Sequence, residues 1–332
     1  MIDRDSAFSL WLDFIERDFL KNDFSKLLAQ GVINGATSNP SIFSAAITKS
    51  PAYKEQLASL GDKTPKEKYE ALAIEDIKLA AKALRKAYNE GNDGYISLEV
   101  DPFLSNDTNA TVKEAKRLFE AIGEPNVMIK IPATESGYSA MGELLSTGIS
   151  VNATLIFSPK QAMRSLKAMK EGLSVFENSG GRRAQGVISV FVSRFDRLLD
   201  AKLTSLGLEP AKIGIYNAAK IYNMIEESRT PSVRTLFAST GVKEGINLPQ
   251  AYYISELLAP HSVNTAPLET INAYRSLPKE NFKLPIRNEV IDQYFQTLAD
   301  KGIDMDAIYE QLLQEGLSAF ESSFSQMLDA LV

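Results

Sequence analysis

The sequence predicts an α/β chain folded as a (β/α)8 TIM barrel with additional C-terminal helices, and two observations carry that expectation. Short apolar segments rich in β-branched residues alternate with longer segments of helical period, strand then helix, eight times before residue 288. Polar residues recur at the C-terminal ends of the strand segments, where a parallel barrel gathers its functional side chains.

In chain order the expected strands span residues 9–14, 32–37, 94–100, 126–131, 150–157, 186–192, 235–239 and 262–265. Helical segments lie between them at 66–89, 110–122, 138–145, 159–177, 197–206, 211–227 and 249–259, many with apolar residues three and four apart. Leu79, Ala83 and Ala87 with Ile77 and Leu84 form one such stripe. Thr64 before Pro65 reads as a helix N-cap. Residues 178–181 read as a helix end and turn before the sixth strand. Arg182 and Arg183 follow as a solvated pair, with a phosphate contact by Arg182 as the alternative. A doubly wound open sheet competes with the barrel, but it usually carries a glycine-rich loop after its first strand, and none occurs here. No linker of Gly, Pro or Ser bias divides the chain. Residues 1–332 are therefore expected to form one barrel domain, with 288–332 as a helical extension packed on its outside.

With 44% hydrophobic and 23% charged residues, the composition supports a sizeable core and argues against global disorder. Lys+Arg total 36 against 42 for Asp+Glu, a net charge of −6, which disfavours a nucleic-acid surface yet leaves room for a local basic pocket. Cysteine is absent, which removes disulfides, thiol nucleophiles and thiolate metal sites together. The single histidine, His261, follows Pro260 and reads as a loop residue. An oxygen-ligand Mg²⁺ site remains open on composition alone. The polar first residues and the lack of an 18-residue apolar run suggest a cytoplasmic protein without membrane contact.

The stretch 126–134, NVMIKIPAT, holds Lys130 inside an apolar strand, where an unpaired ammonium is costly. An edge strand, a buried acid partner or a snorkelling side chain would each explain it. A lysine kept neutral so that its amine attacks a carbonyl is the sharper reading. The other strand ends bear on the choice. The first ends in Asp13, the second in Thr37, Ser38 and Asn39, and the third carries Glu99. Asn152 and Thr154 share a face of the fifth. The sixth holds Ser189, with Arg194 in the loop after it; the seventh ends in Ser239 and the eighth in Asn264 and Thr265. Each has a structural alternative. Asp13 could cap a helix starting near Phe14, Asn39 before Pro40 is ordinary turn chemistry, and Arg194 could pair with Asp196 or Asp200.

Together these residues supply an amine, two carboxylates, hydroxyls, amides and a guanidinium, which is what Schiff-base carbon–carbon chemistry on a sugar phosphate requires. A free lysine has a pKa of ~10.4; lowering it by ~2–3 costs about 3–4 kcal/mol, within reach of desolvation by the surrounding Val, Ile and Met side chains.

The segments GATSNPSIF, VMIKIPAT, LWLD, SLEVDP, VNATLIFS, SVFVSRFDRLLD and VNTAPLET resemble, in type and order, those of the transaldolases, over essentially the whole chain. That resemblance implies a metal-independent, cofactor-free transferase of the pentose phosphate pathway. Its partners would be sugar phosphates, with the chain a monomer or homodimer. It further implies Lys130 as the Schiff-base residue and Glu99 as acid/base through a water that Thr154 helps hold. Asp13 would take the proton from the donor's C4 hydroxyl. Asn39 and Asn152 would bind the dihydroxyacetone hydroxyls with Ser189 beside them, and Arg194 and Ser239 the phosphate. One departure stands out: Gly241 occupies the position of a second phosphate-binding arginine, and Lys243 is expected to replace its charge without its fork. Phe191 lies where the shorter fructose-6-phosphate aldolases carry tyrosine, which favours a transferase. A Schiff-base aldolase and a barrel kept for binding without turnover are the competing readings.

Overall fold

The computed structural model describes residues 8–181, 184–242, 246–278 and 280–332. Eight parallel strands close into a barrel in sequence order: β1 (Ser9–Asp13), β2 (Gly35–Thr37), β3 (Ile96–Glu99), β4 (Val127–Pro132), β5 (Ser150–Ile156), β6 (Gly186–Phe191), β7 (Val233–Ala238) and β8 (Ser262–Ala266). β1 pairs with both β2 and β8, so no strand is an edge.

The strands depart from their expected limits for physical reasons. β2 starts at Gly35, the first residue with a ladder partner on β1; Asn34 before it meets Leu10 twice, its N–H donating to Leu10 O at 3.1 Å and its Oδ1 accepting from Leu10 N at 3.0 Å. β7 starts two residues earlier than expected and includes Arg234, a charge that a buried parallel strand ordinarily excludes. Arg234 is tolerated because Asp93 faces it at 2.8 Å, and Asp93 also accepts from Trp11 Nε1 at 2.7 Å. This group closes the N-terminal end of the barrel. There a Cβ at position 35 would lie 2.3 Å from the Trp11 ring, so only glycine lets the indole lie flat across β2.

Alternation of side chains divides the packing in two. Outward residues such as Leu10, Leu12, Ile129 and Val151 join the helices in one core, while Trp11, Met128, Val187, Leu236 and Val263 fill the barrel interior. Thr64 caps the helix Pro65–Asn89 and Glu67 completes a reciprocal capping box. Of the expected stripe on that helix Ile77 and Leu84 are buried, joined by Ala80 and Ala81, while Leu79 and Ala83 lie half-buried beside them. The segment expected as a helix over 249–259 is helical only at Tyr252–Glu256. Its residues Tyr253, Ile254, Leu257 and Leu258 are all buried.

The C-terminal residues fold as Asn288–Asp300 and Met305–Asp329. The first stacks Tyr294 on Tyr216 at 4.3 Å. The second does more than pack on the outside: it crosses the C-terminal end of the barrel, where Leu312 and Phe320 join the core cluster of Phe157, Phe191 and Phe195. Burying such a side chain contributes roughly 1.5–3 kcal/mol.

Candidate active site

Along the strands the inward positions change from apolar to polar. On β3 and β4 the parallel register sets Glu99 beside Lys130, and on β4 and β5 it sets Lys130 beside Asn152 and Pro132 beside Thr154. The cavity at this end is lined by Asp13, Asn39, Lys130, Asn152, Thr154 and Ser189, and farther out by Arg194, Ser239 and Gly241. Of the described strand-end residues singled out above, the cavity lining omits three: Glu99, which lies behind Lys130, Ser38, whose carbonyl accepts from Lys130, and Asn264. Lys243 and Arg182 fall outside the described residues.

Lys130 is only 6% exposed on an interior strand, so neither the edge-strand nor the snorkelling explanation holds. Its Nζ donates to the Ser38 carbonyl at 3.1 Å and lies 3.5 Å from Glu99 Oε2, an ion-pair separation without hydrogen-bond geometry. A buried acid does face it, as the third explanation required. That acid, however, is itself held back from ionising. Burial pushes the Glu99 carboxyl up to about 7; Lys130 opposes the rise and Asp13 adds to it. Neither Glu99 oxygen has a hydrogen-bond partner, and neither does Thr154 Oγ1, all three fully buried. Phe320 covers the lysine from the terminal helix, its ring centroid 5.8 Å from Nζ.

Asp13 ends β1 partly exposed, and it does not cap a helix: the next one begins at Arg17 and is capped by Glu16, which accepts from Phe19 N at 2.8 Å. Asn39 is a helix cap that also lies at the cavity wall. Its Oδ1 accepts from Ile42 N at 3.0 Å, capping Pro40–Lys49, while the residue lines the cavity. Asn152 is fixed by two neighbours: Nδ2 donates to Ser97 Oγ at 3.0 Å and Oδ1 accepts from Ser189 Oγ at 2.6 Å.

Arg194 is not in a loop but in the first turn of the helix Ser193–Ser205. It pairs with neither Asp196 nor Asp200. Asp196 accepts from Gly214 N and Tyr253 Oη at 3.1 and 2.8 Å, and Asp200 accepts from Ala211 N at 2.8 Å. The guanidinium instead rests over Phe191, 5.0 Å from the centroid, with no carboxylate at ion-pair distance among the described residues. Burial and the nearby Arg197 lower its pKa, and Glu315 opposes them. Ser239 follows β7 at a φ of 56°, its Oγ 3.0 Å from Ser193 Oγ. His261 sits before β8, at the opposite end of the barrel, 2.9 Å from Glu226.

Sequence reasoning missed Ser97 and Phe320. Ser97 lies two residues before Glu99 and thus on its face of the strand, the same parity that singled out Asn152 and Thr154. Phe320 belongs to a series of five buried residues spaced four apart, Ile308, Leu312, Gly316, Phe320 and Phe324. That series marks the helix face but not what lies beneath it. Among the described residues, no three His, Cys, Asp or Glu side chains converge as a metal site, and no helix is long and apolar enough to cross a membrane.

Known proteins resemble this chain throughout its length. A transaldolase of Campylobacter jejuni strain RM1221 is 48% identical over 332 residues, covering 98% of this chain and 99% of the relative. A transaldolase of Helicobacter pylori strain Shi470 is 47% identical over 324 residues, covering 97% and 99%. The profile of the family described as Transaldolase/Fructose-6-phosphate aldolase matches residues 10–331. With that match added to a closed eight-stranded barrel and a buried lysine–carboxyl pair at its C-terminal end, the chain belongs to the transaldolase/fructose-6-phosphate aldolase family.

Proposed function

We propose that this protein is a transaldolase, moving a dihydroxyacetone unit from a ketose phosphate, sedoheptulose 7-phosphate or fructose 6-phosphate, to an aldose phosphate through an imine on Lys130. The observation that carries the reading is the buried Lys130–Glu99 pair, 3.5 Å apart at the inner end of a cavity whose outer part holds Arg194. The distribution fits a substrate with a reacting carbonyl at one end and a phosphate at the other.

In this reading the Lys130 amine adds to the donor's C2 carbonyl, and the carbinolamine loses its hydroxyl as water. Glu99 supplies and recovers the proton through a water that Thr154 helps hold, a role suited to a carboxyl pushed up to about 7. Asp13 then removes the C4 hydroxyl proton, the C3–C4 bond breaks, and the electron pair moves into the imine to leave an enamine. The aldose phosphate departs, an acceptor aldehyde takes its place, and the sequence runs backwards. Asn152 and Asn39 bond the hydroxyls of the retained unit, Asn152 held in one orientation by Ser97 and Ser189. Arg194 and Ser239 receive the phosphate, and Lys243 adds charge. The setting is a cytoplasmic pentose phosphate pathway.

Phe191 favours this reading over the aldolase one, since it offers no hydroxyl beside Arg194 to bind a water that would release the retained unit. Borohydride reduction with fructose 6-phosphate tests the proposal: the three-carbon adduct is expected on the peptide containing Lys130. Label on another lysine, or none, would overturn it. Accumulation of free dihydroxyacetone without an acceptor would favour the aldolase.

A further inference from the structure

The interior of the last helix, Met305–Asp329, contains a glycine, which helices disfavour. A Cβ placed on Gly316 would lie 3.0 Å from Leu155 Cδ2, 3.3 Å from Arg194 Nη1 and 3.5 Å from Phe157 Cε2. The first two separations are shorter than ordinary van der Waals contact. Leu155 has little room to withdraw: it is fully buried at a φ of 56°, where the β5–β6 register shifts. Phe157 is held between Phe191 and Phe195 at 5.3 and 6.0 Å. Arg194 is the neighbour able to move, since it rests on Phe191 and no carboxylate among the described residues lies at ion-pair distance.

We propose that Gly316 is a specificity-determining position: its missing side chain forms the notch that seats the Arg194 guanidinium between the terminal helix and Phe191, aligned to receive a phosphate monoester. The inference rests on the reading of Arg194 as the phosphate anchor. A guanidinium binds phosphate through a planar fork, so its orientation matters as much as its charge. A side chain at 316 would leave the charge in the cavity and turn the fork. Arg194, Leu155 and Phe157 are the nearest neighbours of position 316, so the effect should fall on the phosphate and spare the reacting carbons.

The test compares Gly316→Ala, Arg194→Ala and the double variant, with inorganic phosphate as a competitive inhibitor and with phosphorylated sugars and glyceraldehyde as acceptors. Displacing one side chain from its preferred rotamer should raise the phosphate Ki and the KM for phosphorylated sugars roughly two- to tenfold. The kcat and the KM for glyceraldehyde should stay near their original values. In the Arg194→Ala background, Gly316→Ala should no longer move the phosphate Ki, because the two residues act as a unit. If Arg194→Ala raises the phosphate Ki and Gly316→Ala does not, the notch is wrong while the anchor stands. If Arg194→Ala leaves the Ki unchanged, the anchor reading has failed and the notch with it. A Gly316→Ala protein that loses its fold, or loses rate on phosphorylated and unphosphorylated acceptors alike, would assign the glycine to core packing and overturn the proposal.

Discussion

Replacing Glu99 by glutamine should change how stability depends on pH, in a direction fixed by the burial of the carboxyl. The group titrates near 4.5 when solvated and is pushed up to about 7 in the folded chain, chiefly by burial. A carboxyl whose folded pKa lies above its unfolded one binds more protons in the native state between the two values. Stability therefore falls as pH rises through that window and reaches its full loss above about 7. At about 1.36 kcal/mol per pH unit the whole penalty is roughly 3 kcal/mol, most of it developed between pH 5 and pH 8. Glutamine keeps the shape and does not ionise. Urea unfolding of both proteins at pH 5 and pH 8 should show the variant gaining about 2–3 kcal/mol on the parent between the two conditions. Contributions that do not vary with pH, such as a change in packing at position 99, cancel in that comparison. Parallel pH curves would refute the claim that burial holds this carboxyl protonated.

The two carboxylates should also fail differently in the borohydride assay. Asp13→Ala should still be trapped while cleaving slowly, whereas Glu99→Ala should slow adduct formation itself; equal trapping at the parent rate would undo the division of roles. Arg194→Ala removes charge-assisted hydrogen bonds of ~1.5–3 kcal/mol, so the KM for phosphorylated sugars should rise about 10–150-fold. Lys243→Ala should raise the same KM by a few-fold and Lys243→Arg should be nearly neutral. No effect of Lys243→Ala at low salt, where an exposed charge acts most strongly, would leave the phosphate to Arg194 and Ser239. Activity should survive EDTA, because the imine is the electron sink.

The sequence carried the barrel and most of the site because both are written in local patterns. β-branched runs mark the strands, strand parity puts Asn152 and Thr154 on one face, and a lysine inside an apolar run draws attention to Lys130 before any contact is known. What it hid depends on partners far away in the chain. Arg234 looks unfit for a buried strand until Asp93, 141 residues away, faces it. Arg194 could be assigned to a loop because nothing nearby announces a helix start; its N-cap position is Val192, which makes no side-chain cap. Phe320 and Gly316 lie on a helix whose periodicity shows a buried face but cannot say that the face covers Lys130 and Arg194.

The same strands also explain how the chain tolerates such a site. A buried carboxyl and a hydroxyl without hydrogen-bond partners each cost about 1–3 kcal/mol or more, and Glu99 and Thr154 sit together at the C-terminal end. The N-terminal end is built the other way. Trp11, Asp93 and Arg234 satisfy one another there, and Ser9 Oγ accepts from Arg234 at 3.3 Å. β1 illustrates the division within five residues, with Trp11 bonded at the closed end and Asp13 facing the cavity. β7 repeats it, from Arg234 in its ion pair to Ser239 in the left-handed region beside the proposed phosphate site. Trp11, Asp93 and Arg234 at the closed end are matched to partners within the protein, while Glu99 and Thr154 at the open end have none. On this reasoning, substrate supplies the missing partners, and filling the cavity should stabilise the fold as well as start the reaction.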